Sequence, residues 1–160
     1  MADFQGETMP PALQIHRLTS ADVPLMRQLN AVFAAAFEDH VSYLAEPPGD
    51  RYLQEVLGKE HVVVLVALNE GSVVGGLVAY ELHKLERART EVYLYDLAVA
   101  QPFRRQGVAA RLIEQLRAVA AQRGAWVVYV QADVGDAAAI ALYDKLGVRE
   151  DVLHFDFPVP

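Results

Sequence analysis

The chain has 160 residues and a hydrophobic content of 53%, enough for one domain with its own core. Zero cysteines exclude disulfides, thiolate zinc sites and cysteine nucleophiles, and five histidines without HxH or HxxxH spacing argue against a metal site. A net charge of −7 argues against nucleic-acid binding, which needs a basic field, and suits a cationic partner steered into an acidic cleft.

Residues 1–11 read as a loose leader ending in Pro10-Pro11, ahead of a single domain over 12–160. The leader lacks the basic-then-apolar pattern of a signal peptide, and no apolar run of ~18 residues occurs. A cytoplasmic location without a membrane partner is the expectation. Leu13 to Leu18 alternates like a strand. Thr19-Ser20-Ala-Asp22 is helix-start chemistry, and Leu25, Leu29, Val32, Phe33 and Phe37 give the following helix an inward face. Pro47-Pro48-Gly49 breaks the chain before a short helix from Asp50 to Leu57. His61 to Leu68 and Ser72 to Leu82 are strands joined by Asn69-Glu70-Gly71, a hairpin turn. Gly75-Gly76 inside the second of them has a structural reading only, a bulge or close packing. Thr90 to Val99 is the central strand, and Arg105 to Arg123 a helix stopped by Gly124. A strand from Trp126 to Asp133, a helix from Asp136 to Leu146 and a strand from Val148 to Phe157 complete the order. Strands alternating with single helices imply an α/β fold, a mixed sheet of about six or seven strands.

Tyr93-Leu-Tyr-Asp-Leu-Ala-Val99, a short loop and Arg104-Arg-Gln-Gly-Val-Ala109 running into a helix form the most informative stretch. Free N–H groups and about +0.5 charge gather at a helix start, so an anion is favoured there. Gly107 lets the backbone approach that anion, and Arg104 and Arg105 add charge. No GxxxxGK[ST] run is present, which disfavours a nucleoside triphosphate.

Arg104-x-x-Gly107-x-Ala109 after a Leu-Ala-Val strand end resembles the acyl-CoA pyrophosphate loop of the GNAT superfamily of N-acetyltransferases. Asp136-x-x-Ala139-x-x-x-Tyr143-x-Lys145-x-Gly147 resembles that superfamily's second signature, with Asp136 where many members carry Asn and Val148 where an aromatic often follows. The resemblance spans Leu13 to Asp156. Glu91 to Val99, Tyr129 to Asp133 with Gly135-Asp136, and Arg149 to Asp156 are similar to the GNAT-type aminoglycoside 3-N-acetyltransferases. This implies a GNAT fold with about four flanking helices and acetyl-CoA as cosubstrate. It implies that Leu97, Ala98 and Val99 hold the pantetheine arm and oxyanion through their backbone. Arg104, Arg105, Gln106, Gly107, Val108, Ala109 and Ala110 would bind the pyrophosphate. The implied acceptor is a polycationic aminoglycoside of gentamicin type, acetylated on its 3-amino group, with antibiotic resistance as the result.

Acetyl transfer to an amine requires a base for the amine, donors for the oxyanion and a proton for the leaving thiolate. Asp96 interrupts an apolar and aromatic strand beside Ala98, and is the candidate base. Glu91, about 17 Å away along the strand, is the fallback. Tyr143, one turn beyond Ala139, is the candidate acid through the Tyr-x-Lys-x-Gly match; periodicity alone would make it a core aromatic. Asp133 follows a strand's C-terminal end, where α/β ligand sites open. Asp133, Glu150 and Asp151 are the acceptor-side candidates, with Glu38-Asp39 and Glu46 as weaker ones; Glu150-Asp151 equally well solvates an edge strand. Asp136 has a sufficient role as a helix N-cap. Two other functions stay open: acetylation of a protein N-terminus, lysine or polyamine, and a non-catalytic CoA-binding module. The sequence does not decide whether the chain is a homodimer.

Overall fold

A computed structural model describes residues 13–160, and the expected leader over 1–11 lies outside them. Five strands form one sheet in chain order: β1 (Gln14–Arg17), β2 (Val62–Asn69), β3 (Ser72–His83), β4 (Thr90–Val99) and β5 (Ala125–Val130). The first four are antiparallel neighbours, and β5 lies parallel to β4. Helices α1 (Val23–Ala36) and α2 (Asp50–Leu57) cover one face, and α3 (Val108–Gln122) and α4 (Ala137–Leu146) the other.

The architecture is the expected mixed α/β sheet with four α-helices, but the strand count among the described residues falls below six or seven. The strand expected from Val148 to Phe157 does not form; this segment is exposed and lies along no other strand. Its residue pattern is strand-like, but a strand exists only where a neighbour supplies the ladder.

Strand β2 is buried on both faces because both helical layers rest on it. Val63, Leu65 and Ala67 enter the core under α3, while Val62, Val64 and Val66 enter that under α1 and α2. The β2–β3 turn uses Glu70 at φ 50° and Gly71 at φ 81°, left-handed geometry that suits the twist of a hairpin. Helix α1 is rotated slightly from its expected phase. Val23, Met26, Leu29 and Phe33 are its buried stripe, Leu25 and Val32 are partly covered, and Phe37 is 42% exposed.

Helix α1 sits close on β3 because Gly76 has no side chain. A Cβ there would lie 2.6 Å from Leu29 Cδ1 and 2.6 Å from the Leu65 carbonyl oxygen. Backbone cannot yield as a side chain can, so Gly76→Ala should cost about 1–3 kcal/mol through overpacking. Urea denaturation tests this: the midpoint should fall with the slope unchanged.

Candidate active site

Strand β4 changes character halfway along. Ala79 pairs with Leu94 and Val78 with Asp96, so Tyr95 is an extra residue bulged from the β3–β4 ladder. Val92 and Leu94 precede the bulge and pack under α3, and alternation without it would send Asp96 into the same apolar core. The bulge turns Asp96 to the opposite face, where the Tyr43 O–H donates to its Oδ1 at 3.1 Å. Ala98 follows onto that face, and Leu97 and Val99 face α3.

The same region loses its outer neighbour. The β4–β5 ladder ends at Leu94 and Val130, so β4 from Tyr95 to Val99 has an open edge toward β5. Backbone groups of Leu97 and Val99 on that side are left without a ladder partner, whereas those of Ala98, expected to join them, turn the other way into the β3 ladder. An extended ligand arm can pair with such an edge.

At the end of β4 the chain turns through a 3₁₀ turn (Gln101–Phe103), with Phe103 packed against the α3 core. Arg104 Nε donates to the Val99 carbonyl at 2.9 Å, and Gln106 Nε2 to the Pro102 carbonyl at 3.1 Å. Arg105 at φ 59° and Gly107 at φ 77° are left-handed. Helix α3 therefore begins at Val108 with Gly107 as its N-cap, three residues later than expected. A Cβ on Gly107 would have nothing within 4 Å, so space stands open before this helix start. Its first turn, from Val108 to Ala110, aims N–H groups there. The open space, the left-handed glycine and the nearby arginines fit the pyrophosphate of a CoA thioester.

On the Asp96 side, tyrosines from three strands form a continuous floor. Ring centroids are 5.9 Å apart for Tyr80 and Tyr95, 5.4 Å for Tyr93 and Tyr95, and 4.7 Å for the stacked Tyr93 and Tyr129. The Tyr93 O–H donates to Gln131 Oε1 at 2.6 Å. Tyr43 comes from a π-helical turn (Val41–Ala45) and packs against Phe33 and Phe37, with centroids 5.7 and 5.8 Å away. Asp39 accepts from the Ser42 N–H at 2.9 Å and secures the start of that turn. Glu38 precedes it at φ 53°, and Glu46 is exposed at its end.

Burial pushes the Asp96 carboxyl above the usual carboxylate range, and the bond from Tyr43 pulls partly the other way. Burial, with the Asp96 charge beside it, raises the Tyr43 phenol. Tyr43→Phe removes the donor that favours ionised Asp96, so the Asp96 pKa should rise further. A reaction needing the carboxylate is active above that pKa and lost as pH falls through it. The acidic limb of kcat/KM should accordingly move to higher pH, which a pH–rate profile reads directly.

Tyr143 lies on the other side of the sheet, half-buried against the α3 core that also receives Leu97, and burial raises its phenol. Asp136 accepts from the Ala139 N–H at 3.0 Å as the α4 N-cap. Asp133 is exposed in the turn after β5, and the β5 strand itself stops at Val130 rather than Asp133. Glu150 and Asp151 lie on the exposed segment beyond α4, where Asp151 accepts from Arg149 Nε at 2.9 Å. Among the described residues, no hydrogen bond joins either acid to Asp96. Glu91 is tied near the opposite end of β4, accepting from Trp126 Nε1 at 3.3 Å with Lys84 Nζ at 3.6 Å.

The sequence reading missed the tyrosine floor and Tyr43. Tyr93 and Tyr95 at alternate strand positions were the available signal, but the contribution of Tyr43 depends on an irregular turn. A cleft of about 520 Å³ adjoins the loop between α1 and Arg104. A larger one of about 1180 Å³ lies at the far end of the sheet, lined by His61, Glu81 and Arg123, where Arg123 is paired with Glu81. It has no part of the Asp96 site. Among the described residues no helix is long and apolar enough to cross a membrane, and no cluster of His, Asp or Glu has a metal-holding arrangement.

A solved aminoglycoside acetyltransferase from an uncultured soil metagenomic sample is 49% identical to the chain. It covers 94% of this chain and 100% of its own, with a TM-score of 0.92. Another soil metagenomic aminoglycoside acetyltransferase, solved in complex with sisomicin, is 33% identical with a TM-score of 0.86, covering 92% of this chain and 97% of its own. The [ribosomal protein bS18]-alanine N-acetyltransferase of Escherichia coli (strain K12) is 33% identical over 67 residues, or 42% of this chain. The chain spans 45% of the length of that curated relative. Residues 27–148 match the acetyltransferase (GNAT) family, and the chain, with its splayed β4 and glycine-capped α3, belongs to that family.

Proposed function

We propose that the chain transfers the acetyl group of acetyl-CoA directly to the 3-amino group of a gentamicin-type aminoglycoside, in the cytoplasm, and so confers resistance. The observation that carries this reading is the half-buried Asp96 carboxylate, held by Tyr43 beside a tyrosine floor and next to the open edge of β4. Bound acetyl-CoA supplies an activated acyl carbon. Asp96, directly or through one water, takes a proton from the acceptor's ammonium, and the free amine then attacks the acyl carbon. Free backbone N–H groups of Leu97 and Val99, on either side of Ala98, stabilise the oxyanion, and the Tyr143 O–H gives a proton to the sulfur as the carbon–sulfur bond breaks. Arg104, Arg105, Gln106 and Gly107 with the first turn of α3 hold the pyrophosphate.

The acceptor class rests on two supports. The solved relatives described as aminoglycoside acetyltransferases cover nearly the whole chain. Independently, tyrosine faces attract ammonium groups, and the net charge of −7 favours a polycation. In this reading Asp133, Glu150 and Asp151 attract the drug's ammonium groups. The 3-amino position rests on the sequence resemblance alone.

Free-thiol release from acetyl-CoA across gentamicin-type drugs, basic peptides and polyamines tests the reading, with NMR of the product locating the acetyl group. One acetyl on the 3-nitrogen is expected, and the KM for the drug should rise with salt, since the Debye length is only about 10 Å at 0.1 M. The partial match to the bS18-alanine acetyltransferase favours one other reading, acetylation of a protein N-terminal amine. Turnover of an alanine-initiated peptide with none of any aminoglycoside would establish that instead.

A further inference from the structure

Helix α3 covers only part of the sheet face on which it lies. Ile15 of β1, Val63 of β2 and Ala79 of β3 pack in or against its core. Beyond the end of α3 at Gln122, the same face continues with Arg17, His61, Glu81 and His83. With Lys59 after α2 and Arg123 after α3 they line the cleft of about 1180 Å³ at this end of the molecule. Charge at the uncovered end of a sheet ordinarily serves only solvation, but the sign here runs against the chain. Acids outnumber Lys and Arg by 21 to 14 overall, whereas the cleft holds three of those cations, two imidazoles and only two acids, Glu60 and Glu81.

The cations are not equivalent. Arg123 Nη1 donates to the Glu81 carboxylate and to the Glu60 carbonyl, each at 2.5 Å, and the Glu81 side chain is only 9% exposed. That pair is satisfied and close to neutral as a unit. Arg17 and Lys59 make no ion pair among the described residues. Burial, and then the charge of Arg123, lower the pKa of Arg17, with Glu81 opposing. The guanidinium stays protonated all the same, and has no carboxylate of its own. Leu82, 41% exposed, adds an apolar wall beside these charges.

We infer that this cleft binds a small phosphate monoester, with the Arg17 fork and Lys59 on the phosphate and Leu82 against the ligand's apolar body. Two fixed cations match the charge of about −1.5 to −2 that such a phosphate carries near pH 7. A guanidinium meets phosphate oxygens through two parallel N–H bonds, and an ammonium adds a point charge. The site is separate from the Gly107 loop, since the 15 residues of α3 put about 22 Å between them. The inference stands whether or not the chain acetylates an aminoglycoside.

Phenyl phosphate titrated into the ¹⁵N-labelled full chain tests this residue by residue. Saturable amide shifts are expected at Arg17 to Ser20, Lys59 to His61 and Glu81 to His83, with a Kd of about 1 mM or tighter. Benzyl alcohol, which lacks the charge, should produce none of them. Arg17→Met and Lys59→Gln should each weaken the binding roughly tenfold or more. Melting curves should not move, because neither side chain has an ion pair to lose. The absence of saturable shifts in the cleft, shifts confined to Arg104 to Ala110, or an unchanged Kd in the double variant would each overturn the inference. So would a short single-stranded oligonucleotide that binds this cleft more tightly than phenyl phosphate, because the surface would then serve a nucleic acid.

Discussion

Asp96→Asn should lower kcat by roughly 10²–10⁴ while leaving CoA affinity unchanged. The amide keeps the shape of the side chain and still accepts from the Tyr43 O–H, so the turn over Asp96 stays in place. What it lacks is the ability to take a proton. Thiol release at saturating drug, alongside a CoA titration, separates the two effects. Tyr143→Phe should cost less, because water can partly protonate a departing thiolate. Full turnover in the Asp96 variant would remove the carboxylate from the mechanism and leave proton removal to a water relay. Glu91 would not inherit the role, since Lys84 and Trp126 hold it near the other end of β4.

Gly107→Val should abolish most CoA affinity, by roughly 100-fold or more. Two effects act together. A non-glycine residue at φ 77° is strained by about 1–2 kcal/mol, and a β-branched one by more. The new side chain would also fill the open space before Val108, Ala109 and Ala110, screening the N–H groups proposed to meet the pyrophosphate. Isothermal titration with CoA measures the loss, and a melting curve shows whether the fold survives. Arg104→Ala and Arg105→Ala should each have smaller effects, because exposed charges are partly screened. Of the two, Arg104→Ala should do more, since its guanidinium also holds the Val99 carbonyl. Parent-like CoA affinity in the Gly107 variant would show that the loop does not hold the phosphate.

Regular elements were legible from residue pattern because local rules dominate them. Ser72 to His83 opens on a continuous apolar run, Thr90 to Leu94 alternates as a strand does, and Asp50 to Leu57 is bounded by Gly49 and Gly58. The loop from Arg104 to Gly107 could be read because glycine conformation and helix-end charge are properties of a few consecutive residues. The direction of Asp96 could not. Its lone charge in an apolar strand marked it, but which face it occupies depends on the bulge at Tyr95, fixed only by pairing with β3. Tyr43 was out of reach for a similar reason, since a π-helical turn has no strong residue signature and its hydrogen bond spans 53 positions. The final strand was overread: alternation from Leu153 to Phe157 specifies a strand-forming surface, but not who pairs with it.

The order of strands also governs how the molecule comes apart. Strands β1 to β4 are consecutive neighbours, and β2 to β4 form a local meander with a short hairpin at Asn69 to Ser72. Contacts of that kind form quickly, whereas β5 joins only after α3 has crossed over to bring it parallel to β4. Sub-global opening should therefore release β5 and α4 before the meander, with amide exchange fastest in Ala125 to Val130 among the strands β2 to β5. The proposed acyl site sits on the seam between these two units. A ligand bound there ties the slow-joining half to the fast one, so it stabilises most the part of the protein that is otherwise first to open.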